Sequence, residues 1–218
     1  MWTCQSVERS LRPSGLARRG LRVTACWRQA RPRLAWGLLA FMASLCLVGG
    51  ASGAGGDLVW EDQVDKAGGA DGVNALAVEA GQVFAAGFGT NAAGDQDFLL
   101  RAYHATDGAL VWEDRVDQAG FDDTAFALTV GEGRVFAAGS GQRAAGNEDF
   151  LVRAYDAKSG ALLWEDQVDK AGGFDGVNAL AVERGRLFAA GFVTNAAGNF
   201  DAFLRAYEAE SGALLWED

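Results

Sequence analysis

Apolar and polar positions alternate along the chain in short runs that glycine-rich stretches separate. Within residues 201–209, for example, Phe203, Arg205 and Tyr207 alternate with small or aliphatic residues. A period of two predicts half-buried β-strands. Three more strands are predicted just before this one, with turns between them that contain glycine. They are Ala161–Val168, Val177–Glu183 and Arg186–Val193.

The same pattern recurs along the chain with a fixed period. Trp60, Trp112, Trp164 and Trp216 stand 52 residues apart each time, and the first and third units are identical at 38 of 52 positions. The units span 56–107, 108–159 and 160–211, and residues 212–218 open a fourth. A fixed period of this length indicates a repeat architecture.

Four short antiparallel strands, repeated around an axis, form a β-propeller blade. We therefore predict an all-β chain with a β-propeller repeat domain over 55–218, made of three blades and the first strand of a fourth. A right-handed β-solenoid is the structural alternative, although its coils are usually shorter than 52 residues. Propellers commonly use 4–8 blades. Three blades predict either an incomplete propeller from a longer protein or self-association of two chains into a six-bladed ring.

Residues 1–54 have the pattern of an export leader. The run 34–48 is apolar, Arg28, Arg31 and Arg33 precede it, and the small residues 49–54 follow it. This order is typical of a cleaved signal peptide, which places the remaining chain in the periplasm, at the cell surface or in the medium. An uncleaved membrane anchor is the alternative, but the run is shorter than the ~20 apolar residues that a spanning helix needs.

The distribution of charged residues also changes between the leader and residues 55–218. The net charge is −10, but 28 of the 29 acidic residues and only 11 of the 19 basic residues lie in 55–218. Such an acidic domain repels phosphate backbones, which argues against nucleic-acid binding. The three cysteines, Cys4, Cys26 and Cys46, all lie in the leader, so the repeat domain has no disulfide, thiolate metal site or cysteine nucleophile.

Residues 154–164, AYDAKSGALLW, resemble the tryptophan-docking motif AxDxxTGxxxW of the quinoprotein alcohol dehydrogenase family, with Ser159 in place of threonine. The copies that end at Trp112 and Trp216 depart further from it. Residues 175–182, 185–191 and 201–204 are similar to the bacterial seven-bladed β-propeller (SBBP) repeats. The first resemblance implies pyrroloquinoline quinone (PQQ), a calcium ion, an aspartate base and often a cysteine pair. No catalytic residue is carried over, because such sites need most of a closed ring, whereas 55–218 contains three units, no cysteine and no identifiable cofactor pocket.

The tryptophans and the glycines that precede them have a structural interpretation. Glycine permits the positive φ of a tight turn between the third and fourth strands. A tryptophan on the outer strand then lies over the neighbouring blade, where its indole is buried and its N–H finds a hydrogen-bond acceptor. The predicted docking residues are Trp60, Trp112, Trp164, Trp216, Gly108, Gly160 and Gly212.

Acidic loops are the remaining candidate site. Strand direction alternates within a blade, so the loop that leads to the next blade and the loop between strands two and three emerge on one face. The candidate cation or ligand face contains Asp65, Asp71, Asp95, Asp97, Asp117, Asp123, Asp149, Asp169, Asp175 and Asp201. Carboxylates in flexible loops bind calcium. Asp beside Gly also caps turns through its own side chain, and no loop follows the alternating calcium-loop pattern.

Three functions follow from these patterns. The first is a binding or scaffold module with no catalysis of its own, whose partner is a protein or a cell-surface ligand, and which needs no cofactor. The second is a fragment of a PQQ-dependent oxidoreductase, in which quinone and calcium bind only in the full-length protein. The third is a calcium-stabilised adhesion module at the cell surface.

Overall fold

A computed structural model describes residues 3–5, 25–27, 57–65 and 67–218. The chain divides into two compact units, Met1–Ala54 and Gly55–Asp218. In the first unit, β1 (Thr3–Gln5) pairs with β2 (Ala25–Trp27) in antiparallel register. The predicted apolar run 34–48 and its cleavage region lie outside the described residues. Within the described residues, no helix is long and apolar enough to cross a membrane.

The second unit consists of antiparallel sheets, and three with four strands are present among the described residues. Blade 1 contains β3 (Gly72–Glu79), β4 (Gln82–Thr90), β5 (Gln96–His104) and β6 (Leu110–Val116). Blade 2 contains β7 (Thr124–Gly131), β8 (Arg134–Ala144), β9 (Asn147–Asp156) and β10 (Leu162–Val168). Blade 3 contains β11 (Gly176–Glu183), β12 (Arg186–Thr194), β13 (Phe200–Glu208) and β14 (Leu214–Glu217).

Each blade is a meander in which consecutive strands are hydrogen-bonded neighbours. The predicted all-β propeller class is confirmed, and the four strands predicted for 161–209 agree with the observed strands to within one residue at each end. Each first strand has an irregularity after its second residue, as between Val73 and Ala75. A Cβ on Gly87 would lie 1.9 Å from the Gly72 carbonyl oxygen opposite this bulge, so only glycine fits there.

The sequence repeat and the blade are offset by one strand. The tryptophan strand that begins each 52-residue unit is the fourth strand of the blade before it, since β6 pairs with β5 and β10 pairs with β9. Residues 212–218 were expected to open a fourth unit, but the structure pairs β14 with β13, so this stretch completes blade 3. The segment around Trp60 has no strand assignment.

Two apolar clusters bury the seams between blades. At the first seam, Phe84, Phe98 and Leu100 of blade 1 pack with Val135 and Leu151 of blade 2, and all five are fully buried. The second seam repeats this arrangement between blades 2 and 3. We call the side of a blade that meets the preceding blade its leading face, and the side that meets the following blade its trailing face. The hydrophobic core of the unit therefore lies between sheets rather than within one sheet.

Candidate functional site

The tryptophans occupy equivalent positions at successive seams. The indole Nε1–H of Trp112 on β6 donates to the Ala157 carbonyl of blade 2 at 3.0 Å, and Trp164 donates to Ala209 of blade 3 at 3.1 Å. Trp60 makes the same bond, to the Ala105 carbonyl of blade 1 at 3.0 Å. Because each indole N–H has a hydrogen-bond acceptor, packing the ring at the seam leaves no donor unsatisfied. The apolar area of each ring therefore stabilises the seam.

The glycines lie directly beneath these indoles. Gly108, Gly160 and Gly212 have φ values of 70°, 73° and 73°. A Cβ on Gly160 would lie 2.6 Å from the ring of Trp112, and the other two glycines have the same closest distance to Trp60 and Trp164. These positions therefore need glycine for two reasons, the left-handed turn and the close approach of the ring.

Trp216 differs from the other three tryptophans. Its ring lies 6.2 Å from that of Phe188 in its own blade, much as the Trp112 ring lies 5.9 Å from that of Phe84. However, Trp216 is 43% exposed, whereas Trp112 is 9% exposed. The described residues place no following blade over it.

The predicted acidic face divides into three sets with different local roles. In the first set, Asp65, Asp117 and Asp169 each accept a hydrogen bond from the backbone N–H three residues on, at 2.7–2.9 Å. The donors are the backbone N–H groups of Gly68, Gly120 and Gly172. These carboxylates close turns through their own side chains, as aspartate does before glycine.

The second set joins the two loops that were predicted to share a face. Asp123 accepts from the backbone N–H groups of Gln142 at 2.7 Å and Gln118 at 2.5 Å. Asp175 makes the equivalent pair with Thr194 and Lys170 at 2.6 and 3.1 Å. Asp71 accepts from Thr90 N–H at 2.8 Å. The structure thus brings the two loops of each blade together, and these aspartates connect them.

Burial has a strong effect on one of these carboxyl groups. Asp123 has no exposed surface, and burial raises its pKa to about 7 in spite of its two backbone hydrogen bonds. The nearby charges of Asp117 and Asp97 raise the pKa further. Asp123 is therefore a carboxyl group of this face whose pKa lies well above its ordinary range.

The third set pairs with side chains. Asp97 accepts from Arg115 and from Asn91 Nδ2, and Asp149 accepts from Gln167 Nε2 at 2.8 Å. Asp201 accepts from Asn195 Nδ2 at 3.1 Å. Asp95 lies in the turn that Asn91 organises, where the Asp95 N–H donates to Asn91 Oδ1. Burial, followed by the charge of Asp169, raises the pKa of Asp149.

Each seam also carries a charged network that sequence reasoning missed. Asp62 Oδ2 accepts from Tyr103 Oη at 2.8 Å and Arg101 Nη1 at 2.6 Å, and Arg101 Nε contacts Glu113 at 2.8 Å. In the third copy, Asp166 accepts from Tyr207 Oη at 2.7 Å and from Arg205. Burial, followed by the hydrogen bond to Asp62, raises the pKa of Tyr103 to about 12.

The second copy of the network crosses the first seam. Arg153 of blade 2 lies 3.4 Å from Asp114 on β6 of blade 1 and 3.0 Å from Glu165. The signal in the sequence was the recurrence of Arg and Tyr two residues apart on every third strand, together with Trp-Glu-Asp on every fourth strand. Their partners lie 39 and 41 residues away, so only the fold brings them together.

This set of donors does not fit a calcium–quinone centre. Among the described residues, no group of three or more His, Cys, Asp or Glu side chains is arranged to hold a metal ion. Apart from Asp95, the candidate carboxylates accept hydrogen bonds from backbone N–H groups, arginine or amides.

Stacked four-stranded sheets, joined by tryptophans that dock on glycine turns, define a β-propeller repeat protein. The family model described as outer membrane protein assembly factor BamB matches residues 44–218. The chain belongs to this family of PQQ-like β-propeller proteins. No curated protein matches the sequence.

Solved structures share parts of this architecture. Quinohemoprotein alcohol dehydrogenase from Comamonas testosteroni is 16% identical over 73% of this chain and 30% of its own, with a TM-score of 0.53. Quinohemoprotein alcohol dehydrogenase ADHIIG from Pseudomonas putida HK5 is 16% identical over 66% of this chain and 26% of its own, with a TM-score of 0.49. BamB from Moraxella catarrhalis is 17% identical over 71% and 65%, with a TM-score of 0.32. The similarity to the Comamonas enzyme shows a common fold, and the chain spans less than a third of either dehydrogenase.

Proposed function

We propose that this chain is an extracytoplasmic binding module that holds a protein partner through its blades and catalyses no reaction itself. The observation that carries the proposal is an apolar strip on β3. Val73, Leu76 and Val78 are 59%, 65% and 66% exposed. Their equivalents in blades 2 and 3 pack against another blade.

The strip has the chemistry of a protein interface. At the first seam the equivalent residues are Ala125, Leu128 and Val130, which all pack against the trailing face of blade 1. Exposed apolar patches beside polar surface mark sites of protein association. The family description, an assembly factor, supports a partner that is also a protein. The acidic face supports this function less well, because its carboxylates are engaged in local hydrogen bonds.

Photo-crosslinking in the producing cells tests this function. A photoreactive amino acid at Leu76 is expected to give a discrete protein adduct, and the same group at Lys158, an exposed turn residue of blade 2, is expected to give none. Protease added to intact spheroplasts should degrade the chain if it is extracytoplasmic. Equal crosslinking at both positions, or complete protection from protease, would contradict the proposal.

The oxidoreductase alternative has its own assay. Full chain reconstituted with PQQ and calcium should reduce no dye in the presence of alcohols or sugars. Dye reduction that depends on both additives would replace the binding-module proposal with the enzymatic one.

A further inference from the structure

The loop that joins blades 1 and 2 is held by a buried carboxyl group. We call this segment, residues 117–123, the first connecting loop. Asp123 accepts hydrogen bonds from Gln118 N–H of the same loop at 2.5 Å and from Gln142 N–H on β8 at 2.7 Å. Its own N–H donates to the Gln96 carbonyl of blade 1 at 2.6 Å. Asp123 therefore connects the loop to both of the blades that it joins.

The same loop contains a strained residue. Ala119 has a φ of 59°, in the left-handed region that residues with a Cβ rarely adopt. The equivalent alanines of the other connecting loops lie outside this region, and they are Ala67 and Ala171. Ala119 directly follows Gln118, whose N–H is bound by Asp123. Opening of the loop would let Ala119 return to an ordinary conformation, so the strain favours the open state.

The elements around Asp123 carry mostly acidic groups. These elements are the loop itself, β5, β6 and the β8–β9 hairpin, and their charged residues near it are Asp97, Arg115, Asp117, Asp122, Arg143, Glu148 and Asp149. The negative charges of Asp117 and Asp97 act on Asp123 directly. Arg115 contacts Asp97. The charge of Arg143 stabilises ionised Asp149. An ionised Asp123 in the closed loop is therefore a buried anion without a cationic partner among these groups.

The first connecting loop also lacks a lysine that the other two connecting loops have. Gln118 stands at the position of Lys66 and of Lys170, which belongs to the second connecting loop, residues 169–175. The Gln118 amide exchanges hydrogen bonds with the amide of Gln167 at 2.8 and 3.1 Å. A neutral pair of amides thus stands where the equivalent loops carry a positive charge.

We propose that the first connecting loop is a pH-sensitive latch, which is closed while Asp123 carries a proton and opens when this carboxyl group ionises. Two backbone hydrogen bonds offset the burial of the anion only in part, and opening returns it to water. Opening also relieves the strain at Ala119. Because the loop emerges on the acidic face, the latch makes this face respond to the pH of its surroundings. The latch is independent of the β3 strip.

The pH window follows from the two states of the loop. Burial raises the pKa of Asp123 to about 7 in the closed loop, whereas exposure in the open loop gives it the ordinary pKa of 3.8. The closed loop binds the proton more tightly, so its advantage is present in acid and is lost as the pH rises to about 7. Between about pH 4 and pH 7, the equilibrium constant for opening should rise about tenfold per pH unit and then become constant.

Amide hydrogen exchange of the full chain measures this opening. Protection of residues 117–122, corrected for the chemical exchange rate of each amide at each pH, should fall about 100-fold from pH 5 to pH 7. Residues 169–174 are the internal reference, because Lys170 adds a positive charge to that loop, and their protection should fall less than about threefold. A constant protection of 117–122, or a fall that parallels that of 169–174, would overturn the proposal.

An amide substitution tests whether Asp123 is the group that titrates. Asp123→Asn is neutral at every pH, so the protection of 117–122 should no longer depend on pH. Asp175→Asn is the matched control in the second connecting loop, and it should leave the profile of the first loop unchanged. A wild-type pH profile in Asp123→Asn would show that another group opens the loop and would refute the latch.

Two substitutions of Gln118 test the missing positive charge in chains that keep Asp123, so they decide the question even where Asp123→Asn does not fold. Gln118→Lys stabilises the ionised carboxyl group in the closed loop. The fall in protection between pH 5 and pH 7 should therefore be at least about threefold smaller. Gln118→Met occupies similar space without a charge and should keep the wild-type fall. Identical profiles for the two variants would contradict the proposal.

A pair of glycine substitutions tests the strain. Ala119→Gly removes the Cβ from a left-handed residue, so it should raise the protection of 117–122 at least about twofold at every pH. Ala171→Gly changes a residue with an ordinary φ, so it only adds freedom to the open chain and should lower the protection of 169–174. A decrease in both loops would show that Ala119 is not strained and would overturn a latch that strain helps to open.

Discussion

The indole of Trp112 lies over Gly160 of the next blade, where a Cβ would come within 2.6 Å of the ring, and it donates to Ala157 O at 3.0 Å. Beside the apolar cluster of the seam, a blade is therefore joined to its neighbour by a side chain and a turn whose shapes require each other. Gly133, in another turn of blade 2, has a similar φ of 74°, yet a Cβ there would meet nothing within 4 Å.

This difference predicts unequal effects of two alanine substitutions. Gly133→Ala carries only the cost of a left-handed conformation, about 1–2 kcal/mol. Gly160→Ala carries that cost and must also move the Trp112 ring, so it should destabilise by about 3 kcal/mol or more. Urea unfolding followed by tryptophan fluorescence measures both free energies of unfolding. Equal losses of the free energy of unfolding would show that the Trp112 ring adds no cost to the substitution at Gly160.

A second prediction compares two tryptophans in nearly identical sequence contexts. Trp112 is almost completely buried at a seam, whereas Trp216 is 43% exposed. Trp112→Ala should cost about 3–5 kcal/mol in the free energy of unfolding, as expected for removal of a buried aromatic side chain. Trp216→Ala should cost no more than about 1–2 kcal/mol, because much of its side chain is already exposed. Chemical denaturation compares the two variants.

The repeat, the strand positions and the tryptophan–glycine pairs could all be read from the sequence, because each is a local pattern copied at a fixed interval. The offset of one strand between the sequence unit and the blade could not be read from the sequence. The segments around Trp60 and Trp216 are nearly identical, and only the pairing partner decides that one completes a blade while the other does not. Turn capping by Asp65, Asp117 and Asp169 was one of the two interpretations of the acidic loops, and the structure shows those hydrogen bonds. The partners of Asp71 and Asp97 could not be predicted, because the fold supplies them.

The Arg–Tyr–Asp networks give a third prediction. Asp166 accepts from both Tyr207 Oη and Arg205, and both donors are buried. Asp166→Ala leaves a buried guanidinium and a buried hydroxyl with fewer acceptors, which should cost about 3 kcal/mol. Glu210→Ala is the control, because Glu210 is largely exposed and lies 3.6 Å from Arg134. It should change the free energy of unfolding by less than about 0.5 kcal/mol.

The titration of Asp123 gives a fourth prediction. Its folded pKa of about 7 lies above the ordinary value of 3.8, so the folded state holds a proton that the unfolded state has released. Stability from this group is therefore present below about pH 4 and is lost as the pH rises to about 7. Asp123→Asn removes the titration, so its free energy of unfolding should fall less steeply between pH 4 and pH 7. Urea midpoints across this range, compared with wild type, measure the difference, and parallel profiles would contradict the assignment.

The acidic loop face gives the last prediction, which distinguishes local hydrogen bonding from calcium binding as the role of its carboxylates. Asp65, Asp117 and Asp169 hold turn N–H groups, and Asp123 and Asp175 connect loops. Each of these carboxylates uses at least one oxygen to accept a backbone N–H, which leaves fewer oxygens for a cation that takes 6–8 ligands. Adding millimolar calcium to chelator-treated full chain should therefore leave its melting temperature within about one degree, since a ligand stabilises only the state that binds it. Magnesium at the same concentration controls for ionic screening of the acidic surface. A calcium-specific rise of several degrees, abolished by Asp117→Asn, would show instead that these loops rearrange around the ion and would favour the adhesion-module hypothesis.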